Sequence, residues 1–209
     1  LEYRGYDSAG VAAVVGGKVE RRRAVGKLRP LEEVLREQPL GGEVGIGHVR
    51  WATHGKPNLV NAHPQKAGRV TVVHNGIIEN FAELKAEMIA QGRQFESETD
   101  TEVIAQLVDA RLDAGDAPLQ ALRTVLDRLA GAFALGVLIE GHDRLVLGAR
   151  RGSPLVGGLG EGEMFLGSDA LAVGPFTNRV IYLEDGDYVA IGHAQALIFD
   201  RHGAVVDRL

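Results

Sequence analysis

The chain has 209 residues and a mass of 22.4 kDa, enough for one large domain or two small ones with a real hydrophobic core. Its 23 Lys and Arg against 28 Asp and Glu give a net charge of −5, which offers no electrostatic reason to expect nucleic acid or a membrane surface as a partner. The sequence contains no cysteine, which excludes disulfides, thiolate metal sites and a cysteine nucleophile within these residues.

The ends of the chain and its apolar runs bear on where the protein acts. No apolar run approaches the length of a membrane span, and the first five residues are not typical of a signal peptide. We therefore expect a cytoplasmic protein that does not engage a membrane. Because the chain begins with Leu1 and not with methionine, we also expect it to be a fragment of a longer protein.

Strand patterns fill the first third of the chain and helix patterns the second. Apolar residues three and four apart, from Ile77 to Met88, predict a helix that ends near Gly92. Thr99 and Glu102 fit a capping box at the start of the next helix, and a third runs from Pro118 to Gly131. Before these helices, the sequence predicts strands over residues 10–15, 18–25, 44–49 and 69–74, and a short helix over 32–37.

After Gly131 the pattern returns to strands, and this order decides the fold class. Strands, then consecutive helices, then strands favour an α+β fold with antiparallel sheets over a doubly wound parallel sheet. No repeat or Pro/Ser-rich linker divides the chain, so we predict one domain over residues 1–209. The later predicted strands cover residues 132–139, 144–149, 163–166, 180–183, 188–191 and 196–199.

Metal and nucleotide motifs are missing from the sequence. His48, His54, His63 and His74 lie at spacings that match no local metal motif, so no metal or other cofactor is expected. The glycines of residues 158–162 open no helix and predict a loop, not a phosphate cradle.

Arg50 is the first candidate binding residue, at the end of a predicted strand. An arginine there can bind a carboxylate with two hydrogen bonds, and the nearby Thr53 hydroxyl and His54 ring can complete the site. The alternative is loop packing, with Arg50 stacked on Trp51.

Asn75, Gly76 and Asp100 are further candidates. Asn-Gly is ordinarily a turn signal, but here it precedes a helix, where the Asn amide and the Gly N–H can form an oxyanion hole for acyl transfer. Asp100 lies in the first turn of a helix, where an acidic residue is favoured by the helix dipole alone. Its alternative role is to bind an ammonium group, so that Arg50 and Asp100 together frame an α-amino acid.

These residues belong to a series of motifs with a recognisable order. The series resembles the glutaminase domain of the glutamine–fructose-6-phosphate aminotransferase (isomerizing) family, the glucosamine-6-phosphate synthases, over nearly the entire chain. The motifs are residues 1–10 (LEYRGYDSAG), 48–55 (HVRWATHG), 61–64 (NAHP), 73–80 (VHNGIIEN) and 97–102 (SETDTE).

The resemblance implies an N-terminal-nucleophile hydrolase fold, a four-layer αββα sandwich of two antiparallel sheets between helical layers. It implies that Arg50, Thr53 and His54 bind the α-carboxylate of L-glutamine and that Asp100 binds its ammonium group. Asn75 and Gly76 would hold the oxyanion, and Trp51 would gate an ammonia channel.

The sequence departs from the family at its start. The family's nucleophile is a cysteine at the mature N-terminus, and the family carries a C-terminal sugar isomerase region and forms a homodimer. We expect the 209 residues alone to lack both nucleophile and activity. Two alternatives stay open: a class II amidotransferase with a different ammonia acceptor, and an amino-acid-binding module without a nucleophile.

Overall fold

The computed structural model describes residues 6–192 and 195–208, so residues 1–5 of the first motif lie outside the described part. Strand β1 (Ser8–Val15) forms the predicted hairpin with β2 (Lys18–Val25) across the Gly16-Gly17 turn. Strand β3 (Gly45–Arg50) pairs antiparallel with the other edge of β1, which makes β1 the central strand of a three-stranded sheet. Helix α1 (Leu28–Glu37) packs on this sheet and begins four residues before the predicted helix.

A second, seven-stranded sheet forms the middle of the molecule, and all of its strand pairs are antiparallel. Its order is β13-β12-β11-β7-β6-β5-β4. The strands are β4 (Gln65–Ala67), β5 (Val70–Gly76), β6 (Phe133–Ile139), β7 (Val146–Arg151), β11 (Tyr188–Ile191), β12 (Ala196–Phe199) and β13 (Val205–Val206).

A third sheet has the order β10-β8-β9, with β8 (Val156–Leu159), β9 (Met164–Gly167) and β10 (Val180–Tyr182). The short helix α5 (Ala170–Val173) follows β9. The sequence did not predict β8. The predicted loop over residues 158–162 is wrong for residues 158 and 159, which belong to this strand. Gly157 and Gly158 suit this strand because Thr177, Val173 and Phe165 approach the backbone at Gly158 to within 3.0–3.3 Å of where a Cβ would lie.

Three helices cover one face of the seven-stranded sheet: α2 (Phe81–Ala90), α3 (Asp100–Asp113) and α4 (Pro118–Leu126). Their apolar faces meet the inward side chains of β5, β6 and β7 in the largest core of the molecule. Fully buried members of this core include Ile78, Met88, Ile104, Leu107, Leu122, Phe133, Leu135 and Leu147.

The other face of the seven-stranded sheet packs against the two smaller sheets. Leu138 contacts Ala12 and Val14 of the first sheet, and Ala134 lies in a separate cluster with Leu155, just before β8, and Ile181 of the third sheet. With α1 outside the first sheet, the layers run helix, sheet, sheet, helix. In residues 6–192 and 195–208, no helix is both long and apolar enough to cross a membrane.

The structure corrects three predicted helix details. Ile77 lies before α2 and is 42% exposed, so it is not on the apolar face of that helix. Thr99 precedes α3 but makes no side-chain cap, and Glu102 instead accepts hydrogen bonds from the N–H groups of Glu96 and Ser97. The predicted capping box is therefore wrong, because Glu102 orders the preceding loop. Helix α4 also ends at Leu126, before Gly131.

Candidate active site

A cavity of about 590 Å³ opens between β3 of the first sheet and the β5–β6 region of the seven-stranded sheet. A pocket of this size is ordinary for a small-molecule site. All of the site residues predicted from the sequence line it: Arg50, Trp51, Thr53, His54, Asn75, Gly76 and Asp100.

Arg50 ends β3 with its side chain only 3% exposed. Its Nη2 group donates to the carbonyl oxygens of His54 and Gly55, the latter at 3.1 Å, and its Nη1 group lies 3.4 Å from Oδ1 of Asp7. These contacts use three of the five guanidinium N–H groups and leave two for a ligand. Arg50 therefore fixes the loop after β3 and retains donors for a carboxylate.

Asp7 is a residue of this site that sequence reasoning missed. Its Oδ2 atom accepts a hydrogen bond from the Ala52 N–H at 2.6 Å, while Oδ1 faces Arg50. Asp7 thereby ties the start of β1 to the loop that carries Trp51. The residue stood inside the first sequence motif, but only the strand pairing brings it to Arg50.

Asp100 also lines the cavity, lies at the first turn of α3, and is 3% exposed. Its Oδ2 atom accepts a hydrogen bond from the Ile78 N–H at 2.9 Å, and Oδ1 lies 3.9 Å from Nδ1 of His54. This placement links the helix to the segment that follows Asn75 and Gly76. A carboxylate held in this way has lone pairs left for an ammonium group.

Asn75 and Gly76 end β5, which continues through both residues, so the prediction that the strand stops before them is wrong. The residue pairs across β5 and β6 alternate between pairs that exchange backbone hydrogen bonds and pairs that do not. The Ile77 N–H donates to the carbonyl of Ala132 and the Glu140 N–H to that of Arg69, so these two pairs are hydrogen-bonded. The neighbouring pair Gly76–Phe133 is therefore one that exchanges no backbone hydrogen bond. The N–H of Gly76 consequently points away from β6, and no acceptor for it is found in the part of the chain that the structure describes.

Glycine is required at position 76 by the backbone. Its φ of +119° is unfavourable for other residues, and a Cβ atom there would lie 2.0 Å from the carbonyl oxygen of Ala132. The sequence signal Asn-Gly thus reflects a strand end with a left-handed residue and not a hairpin.

Four histidines lie around the cavity floor. His63 Nε2 and His74 Nδ1 contact Thr101 Oγ1 at 2.7 and 3.1 Å, and the rings of His48 and His63 have centroids 4.6 Å apart. Burial lowers the pKa of His74 to about 4, and it also lowers the pKa values of His48 and His63. These three imidazoles are therefore neutral near pH 7.

The other predicted residues take different positions on the rim. Trp51 is 73% exposed and Thr53 is also exposed. The ring of His54 lies beside Asp100 and packs on Phe81, with centroids 4.7 Å apart, while only its carbonyl meets Arg50. The imidazole of His54 thus lies near Asp100, whereas the sequence placed it with Arg50.

Neither histidines nor carboxylates of this cavity are arranged as a metal site. Across the part of the chain that the structure describes, no group of three or more such side chains is placed to hold a metal ion. The polar groups of the site are instead suited to a ligand with one negative end and one positive end.

The remaining wall of the cavity is apolar and includes one free strand edge. Successive residues of β3 from Gly45 to Arg50 line the cavity. Within the described residues β3 pairs on one side only, with β1. Its other edge therefore presents unpaired backbone groups to the cavity. The facing apolar side chains are Val146, Leu155, Met164, Leu166 and Ile191.

Comparison with known proteins identifies the family of the chain. The sequence profile of the glutamine amidotransferase domain matches residues 54–174. A glutamine–fructose-6-phosphate aminotransferase (isomerizing) of Caulobacter vibrioides is 72% identical over 208 residues, which cover 100% of this chain and 34% of that protein. The protein of the same name from Bradyrhizobium diazoefficiens is 57% identical with the same coverage. The chain spans about a third of the length of these curated relatives.

Solved structures confirm the fold. The glutamine phosphoribosylpyrophosphate amidotransferase from B. subtilis, complexed with ADP and GMP, superposes with a TM-score of 0.79 at 23% identity, over 97% of this chain and 45% of that one. A glutamine aminotransferase class-II domain protein from Silicibacter pomeroyi gives 0.67 at 20% identity, over 93% and 95%. The predicted α+β class and N-terminal-nucleophile hydrolase fold are thus confirmed, and the chain belongs to the glutamine amidotransferase domain family.

Proposed function

We propose that the cavity binds L-glutamine and that the complete protein hydrolyses its side-chain amide to glutamate and ammonia. The observation that carries this proposal is that Arg50 and Asp100, both almost fully buried, line the same cavity. The guanidinium has two N–H groups for the α-carboxylate, and the carboxylate of Asp100 suits the α-ammonium group. The side-chain amide of glutamine then extends toward the end of β5.

The end of β5 supplies the donors that acyl transfer requires. As a nucleophile attacks the amide carbon, negative charge develops on the carbonyl oxygen. In this proposal, the Asn75 side-chain amide and the Gly76 N–H, which line the same cavity, stabilise that charge. Collapse of the tetrahedral intermediate releases ammonia, and water then releases glutamate from the acyl-enzyme.

The nucleophile is proposed to be a cysteine on a segment that precedes Leu1. The 209 residues contain no cysteine, and the family resemblance places the nucleophile at a mature N-terminus. Space for such a segment exists, because the cavity includes an apolar wall and the open edge of β3. An added strand on this edge satisfies the backbone groups and covers the apolar side chains. The domain described here then supplies the binding half of the site.

The ammonia acceptor is proposed to be fructose 6-phosphate, giving glucosamine 6-phosphate. The relatives from Caulobacter vibrioides and Bradyrhizobium diazoefficiens carry the name of this reaction and are about three times as long as the chain. The complete protein would then add a C-terminal sugar isomerase region and form a homodimer.

Assay of the complete protein with glutamine and different acceptors tests this proposal. We expect glucosamine 6-phosphate with fructose 6-phosphate, and none of the corresponding amine with phosphoribosyl pyrophosphate. Amination of phosphoribosyl pyrophosphate alone would show another class II amidotransferase. Glutamine binding without any glutamate release would show a binding module.

A further inference from the structure

We infer that His48 is a positioning residue for the oxyanion hole: its Nε2–H group holds Oδ1 of Asn75 and so turns the Asn75 amide N–H groups into the cavity. This inference rests on the proposed function and adds to it a residue outside the set that binds glutamine. Nε2 of His48 lies 2.9 Å from Oδ1 of Asn75.

The contact joins two different sheets across the cavity. His48 lies on β3 and Asn75 near the end of β5. Asn75 is exposed to the cavity, and among the described residues its side chain has one hydrogen-bonding partner, His48. Without that partner, no hydrogen bond from the described residues fixes the amide about its side-chain torsions. The orientation of the oxyanion donor therefore depends on an imidazole from another sheet.

The tautomer of the neutral His48 ring determines which way the Asn75 amide faces. Burial lowers the pKa of His48, so the ring is neutral near pH 7 and carries a single N–H. When that proton is on Nε2, this nitrogen can only donate a hydrogen bond, so the amide oxygen Oδ1 of Asn75 is its favoured neighbour. Rotation of the Asn75 amide by half a turn would then bring its NH2 group, also a donor, against the Nε2–H group of His48. The preferred arrangement directs both hydrogens of Asn75 Nδ2 away from His48 and toward the cavity.

The ring of His48 is itself supported. It packs against the ring of His63, with an interplanar angle of 33°, and His63 is held by Thr101 at the start of α3. Thr101 directly follows Asp100, the proposed ammonium ligand. The orientation of the oxyanion donor is thereby connected to the helix that holds the other end of the substrate.

Kinetics of three variants of the complete protein test the inference. We expect His48→Leu to lower kcat for glutamine hydrolysis by about 10- to 100-fold with little change in KM, since deletion of an oxyanion donor itself costs about 10²–10³-fold. His48→Gln restores an N–H at the end of the side chain and should recover most of kcat. His142→Leu, on an exposed turn, is the matched control and should leave kcat unchanged.

A double-mutant cycle separates positioning from general structural support. If His48 acts through Asn75, His48→Leu should cost less than about 3-fold in the Asn75→Ala background, because the coupled losses are not additive. Equal kcat values for His48→Leu and His48→Gln, or fully additive losses, would overturn the inference.

The inference can also be tested independently of activity. Nitrogen chemical shifts of ¹⁵N-histidine-labelled protein report the tautomer of each imidazole. A neutral His48 with its proton on Nε2 is expected, and a proton on Nδ1 would overturn the inference. If the wild-type protein releases no glutamate, the proposed function fails, and the tautomer measurement still decides the role of His48.

Discussion

The carboxylate of Asp100 accepts a hydrogen bond from the Ile78 N–H at 2.9 Å, and this bond connects the first turn of α3 to the chain just beyond Asn75 and Gly76. The same bond makes Asp100 both a structural residue and the proposed ammonium ligand. A substitution that removes the charge but keeps the acceptor can separate these two roles.

Asp100→Asn should therefore raise KM for glutamine by about 10- to 100-fold, the usual worth of a hydrogen bond to a charged group. An asparagine oxygen still accepts the Ile78 N–H, so the free energy of unfolding should change little. Steady-state kinetics and urea unfolding measure the two effects. Asp143→Asn, in an exposed turn, serves as the control. An unchanged KM would assign Asp100 to structure alone.

Arg50→Ala should also raise KM for glutamine, because a buried charged partner of the substrate is lost, at a cost on the order of 2–5 kcal/mol. Part of that cost is structural, since Asp7 and the carbonyls of His54 and Gly55 lose their donor. Arg29→Ala provides a control because its side chain is 87% exposed. A wild-type KM in Arg50→Ala would contradict carboxylate binding by this residue.

Asn75→Ala should lower kcat by roughly 10²–10³-fold with little effect on glutamine binding, as expected for a donor that acts on the transition state. Asn75 does not cap α2, whose N-cap residue is Asn80, so its loss should not disturb that helix. Helix content by circular dichroism checks the second point. A variant that keeps near-normal kcat would reduce the Asn-Gly pair to a strand end.

Gly76→Ala should destabilise the fold by on the order of 2 kcal/mol or more, since the added Cβ meets a backbone carbonyl and the residue keeps a positive φ. Gly92 is a matched control: its φ is +88°, but nothing lies within 4 Å of an added Cβ. Gly92→Ala therefore measures backbone strain alone. Equal changes in urea midpoint for the two variants would show that the Ala132 contact costs nothing.

The histidines predict how stability depends on pH. Burial lowers the pKa of His74 from 6.5 to about 4, so between these values the unfolded chain binds a proton that the folded chain does not. The free energy of unfolding should be highest above about pH 6.5 and fall as pH drops toward 4, by on the order of 3 kcal/mol from His74 alone. His48 and His63 act in the same direction.

Urea unfolding at about pH 7.5 and about pH 5 measures this slope, and carboxylates such as Asp109 act mainly below that window. His74→Gln should flatten the slope, whereas His142→Gln should not. Equal unfolding free energies of the wild-type protein at both pH values would contradict burial of neutral imidazoles.

Local sequence patterns were enough to predict most strands and the residues at their ends. The hairpin of β1 and β2 needs only a Gly-Gly turn after the apolar run of β1, and Asn75, Gly76 and Asp100 lie at the junctions of elements, where polar residues are conspicuous. The Asn-Gly signal was informative because a helix and not a strand follows it.

Contacts between distant segments were beyond the reach of those patterns. Asp7 and Arg50 are 43 residues apart, and His48 and Asn75 are 27 apart, so only strand pairing and sheet packing bring them together. Glu102 was assigned to a capping box because the local spacing fits one, whereas the folded chain offers it the free N–H groups of residues 96 and 97. Strand β8 was missed because glycines carry no hydrophobic signal.

We propose that these residues form the binding half of a glutaminase site whose nucleophile lies on a preceding segment. The most direct measurement compares glutamate release from glutamine by the complete protein and by residues 1–209 alone. We expect release by the complete protein, loss of that release when the proposed cysteine nucleophile before Leu1 is replaced by alanine, and none from residues 1–209. Equal rates with and without the preceding segment would contradict the account.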